Sequence, residues 1–217
     1  MNHLNMSVSE QVAEKLLAIE AVNLKPDQPY TWASGLKAPI YCDNRLIMSF
    51  PETRDFIEQA LADLIKTQFE GVEVIAGTAT AGIPHAAFVA NILNLPMIYV
   101  RSSAKDHGKE NAIEGYLKPG SKVVMVEDLI STGGSVLDAA SKVEQAGGEV
   151  IGCAAIFNYM LESGQKAFSE VEFSLETLTN YRELVEYAVS DPKLKAYYDT
   201  LVEWYQDPAK WSKQFEA

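Results

Sequence analysis

Between residues 72 and 157, apolar stretches of strand length alternate with glycine turns and helical patterns, and this alternation limits what the chain can fold into. Residues 72–76, 97–100, 123–126 and 150–157 have the pattern of buried strands. Residues 85–93 and 136–145 carry apolar side chains at helical spacing, the second run stopped by Gly147 and Gly148. Strands linked through helices run parallel, because a crossover is needed to bring the chain back alongside itself, and strands apolar on both sides need cover on both faces. The expected class is therefore α/β, with a mainly parallel central sheet flanked by helices. Upstream, residues 8–22 and 50–69 predict two helices and residues 39–42 a short strand. Residues 181–217, rich in Tyr and Trp, predict C-terminal helices whose Trp204, Tyr205 and Trp211 serve packing.

Composition narrows the function. The 217 residues, 47% hydrophobic, suffice for a substantial core. A formal charge of -12 leaves no general basic surface to neutralise a nucleic-acid backbone, so no nucleic-acid partner is expected. The longest apolar-rich stretch, residues 86–100, is interrupted by Asn91, Asn94 and Pro96 and is too short to span a bilayer. Residues 1–10 show no secretory pattern, and Cys42 and Cys153 stand in no metal-type or redox-type spacing. A cytoplasmic location without membrane association is the expectation.

The chemistry concentrates around the strand at 123–126. Val123, Val124, Met125 and Val126 are followed directly by Glu127 and Asp128, then Leu129 and Ile130, then Ser131, Thr132, Gly133, Gly134 and Ser135, where a helix opens. In open α/β sheets ligands sit beyond the carboxyl ends of the strands. A helix N-terminus there offers free N–H groups and a favourable dipole to an anion, glycines let the backbone come close, and hydroxyls add donors. Two carboxylates would repel a phosphate unless something neutral or cationic lay between, and vicinal sugar hydroxyls or a bound Mg²⁺ meet that need. The pattern points to a sugar phosphate held at both ends. It matches neither the nucleotide P-loop nor the dinucleotide fingerprint. The plainer alternative is a strand-to-helix turn that Ser131 or Thr132 merely caps, which would not require two acids, two glycines and three hydroxyls together.

Two other segments bear on the same ligand. Gly77-Thr78-Ala79-Thr80-Ala81-Gly82-Ile83-Pro84 is a second strand-to-helix turn, with Pro84 suited to a first helical turn. From local pattern alone it is equally a structural turn. Residues 101–115 form a long polar connection carrying Arg101, Lys105, His107 and Lys109, with Gly108 and Gly115 as possible hinges. A solvated loop is the bland account of such a charge run. In so acidic a chain, positive charge gathered in one loop favours an anion-closing lid.

The string Val-Val-Met-Val-Glu-Asp-Leu-Ile-Ser-Thr-Gly-Gly-Ser resembles the ribose-phosphate motif of the type I phosphoribosyltransferases. The resemblance implies that Glu127 and Asp128 hold the ribose hydroxyls of 5-phosphoribosyl pyrophosphate, that residues 131–135 hold its 5-phosphate, and that residues 77–84 hold the pyrophosphate through backbone amides. Leu129 and Ile130 fall within the same binding stretch. Arg-Ser-Ser-Ala-Lys-Asp-His-Gly-Lys, followed by Ile-Glu-Gly, is similar to the catalytic loop of the orotate branch, and Ser34 to Asp43 to its hood segment.

What this resemblance implies is transfer of the phosphoribosyl group to orotate, giving orotidine 5'-phosphate and pyrophosphate in pyrimidine (UMP) biosynthesis. Arg101, Lys105 and His107 would be catalytic and also contact the donor. Mg²⁺ would be the cofactor, held through substrate and not by metal-ligating side chains. The chain would be a homodimer in which residues 101–115 complete the neighbour's site. It would form a single domain over residues 1–217, with the N-terminal helix and hood at 1–50, the core sheet at 70–160 and the C-terminal helices at 175–217. Ala33, Thr80-Ala81, Ser102 and Tyr159 depart from basic or other polar residues that many members carry. Ser131, together with Lys37, is the expected substitute contact for orotate. The competing readings are a purine or uracil transferase of the same fold and a ligand-sensing regulator that binds nucleic acid, the latter opposed by the acidic charge.

Overall fold

Ser7 and Glu10 close a capping box at the start of helix α1 (Val8–Ala18): the Ser7 hydroxyl accepts from the Glu10 amide, and the Glu10 carboxylate accepts from the Ser7 amide at 2.7 Å. The helix stops short of the predicted residue 22, because Glu20 turns left-handed at φ 58° and Val22 enters a strand. Four short strands follow, β1 (Val22–Leu24), β2 (Tyr30–Thr31), β3 (Lys37–Ala38) and β4 (Ile40–Cys42), paired antiparallel as β1 with β4 and β2 with β3. This computed structural model describes residues 5–102 and 112–215. They divide into one unit that runs to Ile47 and resumes at Thr179, and another spanning Met48–Leu178.

The second unit opens with α2 (Pro51–Gln68), whose proline occupies the first helical position, where a missing N–H costs nothing. Then come β5 (Val74–Thr78), α3 (Gly82–Leu93), β6 (Met97–Val100), β7 (Ile113–Glu114), β8 (Lys122–Ile130), α4 (Gly134–Gln145), β9 (Glu149–Asn158), α5 (Glu162–Ser169) and β10 (Ser174–Asn180). The last two residues of β10 belong to the first unit. The sheet order is β10-β9-β8-β5-β6-β7, with β5, β6, β8 and β9 parallel and β7 antiparallel to β6. The α/β class and the mainly parallel sheet are as predicted; the additions to the sheet are β7, a two-residue return inside the predicted polar loop, and β10 at its other edge.

Alternation along the central strands explains the layering. Val74, Ala76, Val123 and Met125 pack on one face with Val136, Ala139, Ala140 and Val143 of α4. α2 and α3 also pack against the sheet, and Gly152 of β9 admits the Phe69 ring where a Cβ would lie 2.1 Å from it. Val124, Met125 and Val126 are fully buried. At roughly 1.5–3 kcal/mol per buried aliphatic side chain, this strand anchors whatever projects from its end.

Strand boundaries differ from the predicted ones at the functional end. β8 was expected to stop at residue 126, with the acids after it. Instead, Glu127 pairs with Ala155, Leu129 with Phe157 and Ile130 with Asn158, so the ladder carries the acid pair as part of the strand. Tertiary pairing overrides the weak strand preference of two acids. Likewise α3 begins at Gly82 and α4 at Gly134, each a few residues before the apolar periodicity becomes visible.

The C-terminal part of the first unit contains α6 (Tyr181–Ala188), α7 (Pro192–Lys195), α8 (Tyr198–Gln206) and α9 (Pro208–Ser212). α6 packs on α1, where Ser9 bonds Thr179 at 2.9 Å and the Tyr187 hydroxyl donates to Glu14 at 3.1 Å. Trp204 and Trp211 are buried, Trp204 lying 4.8 Å from the Tyr181 ring and Tyr205 stacked on that ring at 5.8 Å. These aromatics pack the unit, as their spacing suggested.

Candidate active site

Beyond the carboxyl ends of β5 and β8 lies a concavity of ≈ 260 Å³, lined by Ala79, Thr80 and Ala81 from the first turn and by residues 127–136 from the second. The two glycine turns, 50 residues apart in sequence, therefore face one volume. Parallel pairing of β5 with β8 in register, Gly77 beside Val126, brings them together. Glu127, Asp128, Leu129, Ile130, Ser131, Thr132, Gly133, Gly134 and Ser135 all line it.

The second turn is built to present backbone. Gly133 adopts φ 79°, a left-handed conformation that glycine reaches without penalty, and a Cβ there would lie 2.8 Å from the Phe168 ring of α5. No side chain caps α4, so capping by Ser131 or Thr132 does not account for these residues. The first amides of the helix thus have no intrahelical acceptor, and Thr132, Gly134 and Ser135 are exposed beside them. Such an arrangement can receive an anion, its donors already in place.

Glu127 and Asp128 occupy different environments. Glu127 is 7% exposed and Asp128 half-buried. Burial, reinforced by the neighbouring Asp128 charge and hydrogen bond, pushes the Glu127 carboxyl up to about 9. In the free protein Glu127 is therefore neutral near pH 7, and its Oε1 accepts from the Asp128 amide at 3.1 Å. A neutral carboxyl both donates and accepts, which suits sugar hydroxyls and lessens repulsion toward a nearby phosphate. Ile130 contributes backbone only, since its side chain joins the core and its carbonyl accepts from Tyr159 N at 3.0 Å.

The first turn is held from behind. Gly82 lets α3 sit against the end of β8: a Cβ there would come 2.6 Å from the Val126 carbonyl oxygen and 3.3 Å from Glu127 Oε1. One turn of helix further on, His85 Nδ1 lies 2.5 Å from Glu58 Oε1 of α2, both side chains buried. Burial raises the Glu58 carboxyl above its ordinary value, against the opposing pull of His85. Neither residue was singled out from the sequence. Glu58 looks like any polar helix position, and its partner is 27 residues away.

The remaining candidates are placed less centrally. Arg101 stands where β6 ends, its Nε 3.3 Å from Glu114 Oε1 of β7 and its amide donating to the Ala112 carbonyl at 2.8 Å; it does not line the concavity. Lys105 and His107 lie outside the described residues. Lys37 belongs to the first unit, where its ammonium donates to Thr31 at 2.7 Å and its amide to Ser212 at 2.9 Å. Tyr159 is buried with its ring edge-on to Phe157 at 5.2 Å. Among the described residues no group of three or more His, Cys, Asp or Glu side chains is placed to hold a metal ion. Among the described residues that line the site, the acid pair is what could meet Mg²⁺, a donor set that fits an ion bound mostly by phosphate oxygens and water.

Residues 50–191 match the model of the phosphoribosyl transferase domain. The orotate phosphoribosyltransferase of Listeria monocytogenes is 56% identical over 209 residues, covering 96% of this chain and 100% of that protein. The enzyme of the same name from Enterococcus faecalis is 55% identical over 207 residues, 95% of this chain and 99% of that one. Among solved structures, orotate phosphoribosyltransferase from Aeropyrum pernix superposes with a TM-score of 0.72 at 23% identity, over 81% of this chain and 96% of that chain, a likeness of fold. With the strand–acid–glycine site described above and relatives of this identity spanning nearly its whole length, the chain belongs to the orotate phosphoribosyltransferases, within the phosphoribosyl transferase domain family.

Proposed function

We propose that this chain transfers the 5-phosphoribosyl group from 5-phosphoribosyl pyrophosphate to orotate, giving orotidine 5'-phosphate and pyrophosphate in pyrimidine synthesis. The observation that carries the proposal is the joining of both glycine turns and the acid pair around one concavity, in a chain 56% identical to an orotate phosphoribosyltransferase. The 5-phosphate sits on the α4 N-terminus and residues 131–135, and the ribose hydroxyls on Glu127 and Asp128. The pyrophosphate takes the 79–81 turn. A bond forms from the pyrimidine N1 to C1 of the ribose as the C1–O bond to pyrophosphate breaks, through a state with oxocarbenium character, and the N1 proton passes to solvent or to the departing pyrophosphate. Negative charge grows on the departing pyrophosphate, so Arg101, Lys105 and His107 serve to stabilise it, His107 by hydrogen bond or proton. Mg²⁺, bound with the donor substrate, supplies further charge neutralisation there. Ser131 is the proposed contact to orotate.

The 101–115 segment of one protomer completes the site of its partner in a homodimer, which supplies the cations that the concavity's own lining lacks. A cytoplasmic location suits a chain whose Cys42 and Cys153 form no disulfide. None of the described helices is long and apolar enough to cross a membrane. The decisive experiment mixes protein, Mg²⁺, 5-phosphoribosyl pyrophosphate and orotate, and follows the loss of orotate absorbance. Parallel reactions with uracil, hypoxanthine and adenine should stay flat. Turnover of one of those bases in place of orotate, or none with folded protein, overturns the assignment.

A further inference from the structure

Lys142 lies two helical turns into α4, a helix whose first turn carries the phosphate site, and its ammonium is fully engaged. It donates to the Ser102 carbonyl at 3.0 Å, to the Arg101 carbonyl at 3.3 Å and to Asp138 Oδ2 at 2.5 Å. Arg101 and Ser102 follow the last residue of β6, where the antiparallel pairing of Tyr99 with Glu114 and Val100 with Ile113 ends. The stem of the 101–115 connection is thus closed by Arg101 N on Ala112 O, crossed by the Arg101–Glu114 ion pair, and bound to α4 through Lys142. An ammonium has three donors, and here they meet two carbonyls and a carboxylate at once. Lys142 stands about 12 Å along the helix from Gly134, so the root of the catalytic segment is tied to a long, packed element of its own subunit.

We propose that Lys142 is a positioning residue for phosphoribosyl transfer: it fixes the direction in which the 101–115 segment leaves its own sheet toward the partner's site, with Asp138 orienting its ammonium. The proposal rests on the reading of the site as a phosphoribosyl transfer centre. Lys142 touches no reacting atom. It sets where Arg101 and the residues after it begin, and small misplacements of such groups are costly to turnover while leaving ground-state contacts alone.

The test is Lys142→Met, which keeps the alkyl chain and removes the donors, with Asp138→Asn as a milder second variant and Lys66→Met on the exposed face of α2 as a control for lost charge. Two quantities are measured: amide hydrogen exchange at residues 100–102 and 112–114, and steady-state turnover with orotate alongside affinity for ribose 5-phosphate. Lys142→Met should speed stem exchange and lower kcat by about tenfold each, with ribose 5-phosphate affinity within about twofold of the parent. Asp138→Asn should move both in the same direction by less, and Lys66→Met neither. Unchanged stem exchange overturns the proposal, as does faster exchange with unchanged kcat. Should Lys142→Met lose global stability, Asp138→Asn decides by the same two criteria. If the parent protein itself fails to turn over orotate, the functional reading falls, while the exchange comparison, which needs no reaction, still decides whether Lys142 holds the stem.

Discussion

Glu127→Gln replaces a buried titrating carboxyl with a neutral group of nearly the same shape, and the response to pH should identify what that carboxyl does in the free protein. Burial, then the Asp128 charge and hydrogen bond, lift it from an ordinary 4.5 to about 9. Between those values the folded chain holds a proton that the unfolded chain has released. The group's stabilising contribution is therefore complete below the unfolded pKa and is lost as pH rises toward the folded one. Inside that window the cost is at most about 1.4 kcal/mol per pH unit, or roughly 2 to 3 kcal/mol between pH 6 and pH 8. Glutamine carries no such penalty. Urea unfolding of both proteins, without ligand, at pH 5, 6, 7 and 8 should give stability curves that diverge with rising pH, the variant becoming the more stable. Weaker binding of 5-phosphoribosyl pyrophosphate should accompany the gain. Parallel curves, offset by a constant amount, would falsify the account of Glu127 as a proton-holding buried acid.

Gly82→Ala sets a methyl 2.6 Å from the Val126 carbonyl oxygen, backbone against backbone, so the start of α3 must shift. The KM for 5-phosphoribosyl pyrophosphate should rise about tenfold and stability fall by about 1–3 kcal/mol; a variant with parent-like steady-state kinetics would show that the first turn tolerates displacement. Glu20→Gly relieves an exposed left-handed residue at φ 58°, and its urea midpoint should rise by the equivalent of about 0.5–1 kcal/mol. A lower midpoint counts against strain there. Mixing inactive Lys105→Ala and Asp128→Asn chains under conditions that exchange subunits should restore about a quarter of parental turnover, because half the sites in mixed dimers are then intact. No recovery above the sum of the two variants would mean that the 101–115 segment serves its own subunit.

Much of the second unit was legible in the sequence, for physical reasons that can be named. A run such as Val123–Val126 is apolar on both sides of the pleat, so it has to be an interior strand, and interior strands joined through helices have to run parallel. The chemistry of the Glu127 to Ser135 stretch is similarly local: a helix N-terminus, left-handed glycine and hydroxyls bind an anion wherever a strand delivers them. The boundaries were less legible. β8 runs to Ile130 because β9 continues to offer partners, information that is absent from the stretch itself. β7 is two residues long and exists only as a partner to β6, below what periodicity can register.

By itself the sequence determined the class of fold, the strand–acid–glycine stretch that lines the concavity, and the family motifs that name the reaction, since each rests on residues adjacent in the chain. Only tertiary structure decided how those acids differ. The Glu127 carboxyl is pushed up by burial where α3, through Gly82, sits against the end of β8, and desolvation depends on what surrounds a group more than on its sequence neighbours. The same holds for the Glu58–His85 pair and for Lys142. Lys142, paired with Asp138 at ordinary helical spacing, has the pattern of a surface ion pair until the fold sets the Arg101 and Ser102 carbonyls against its ammonium.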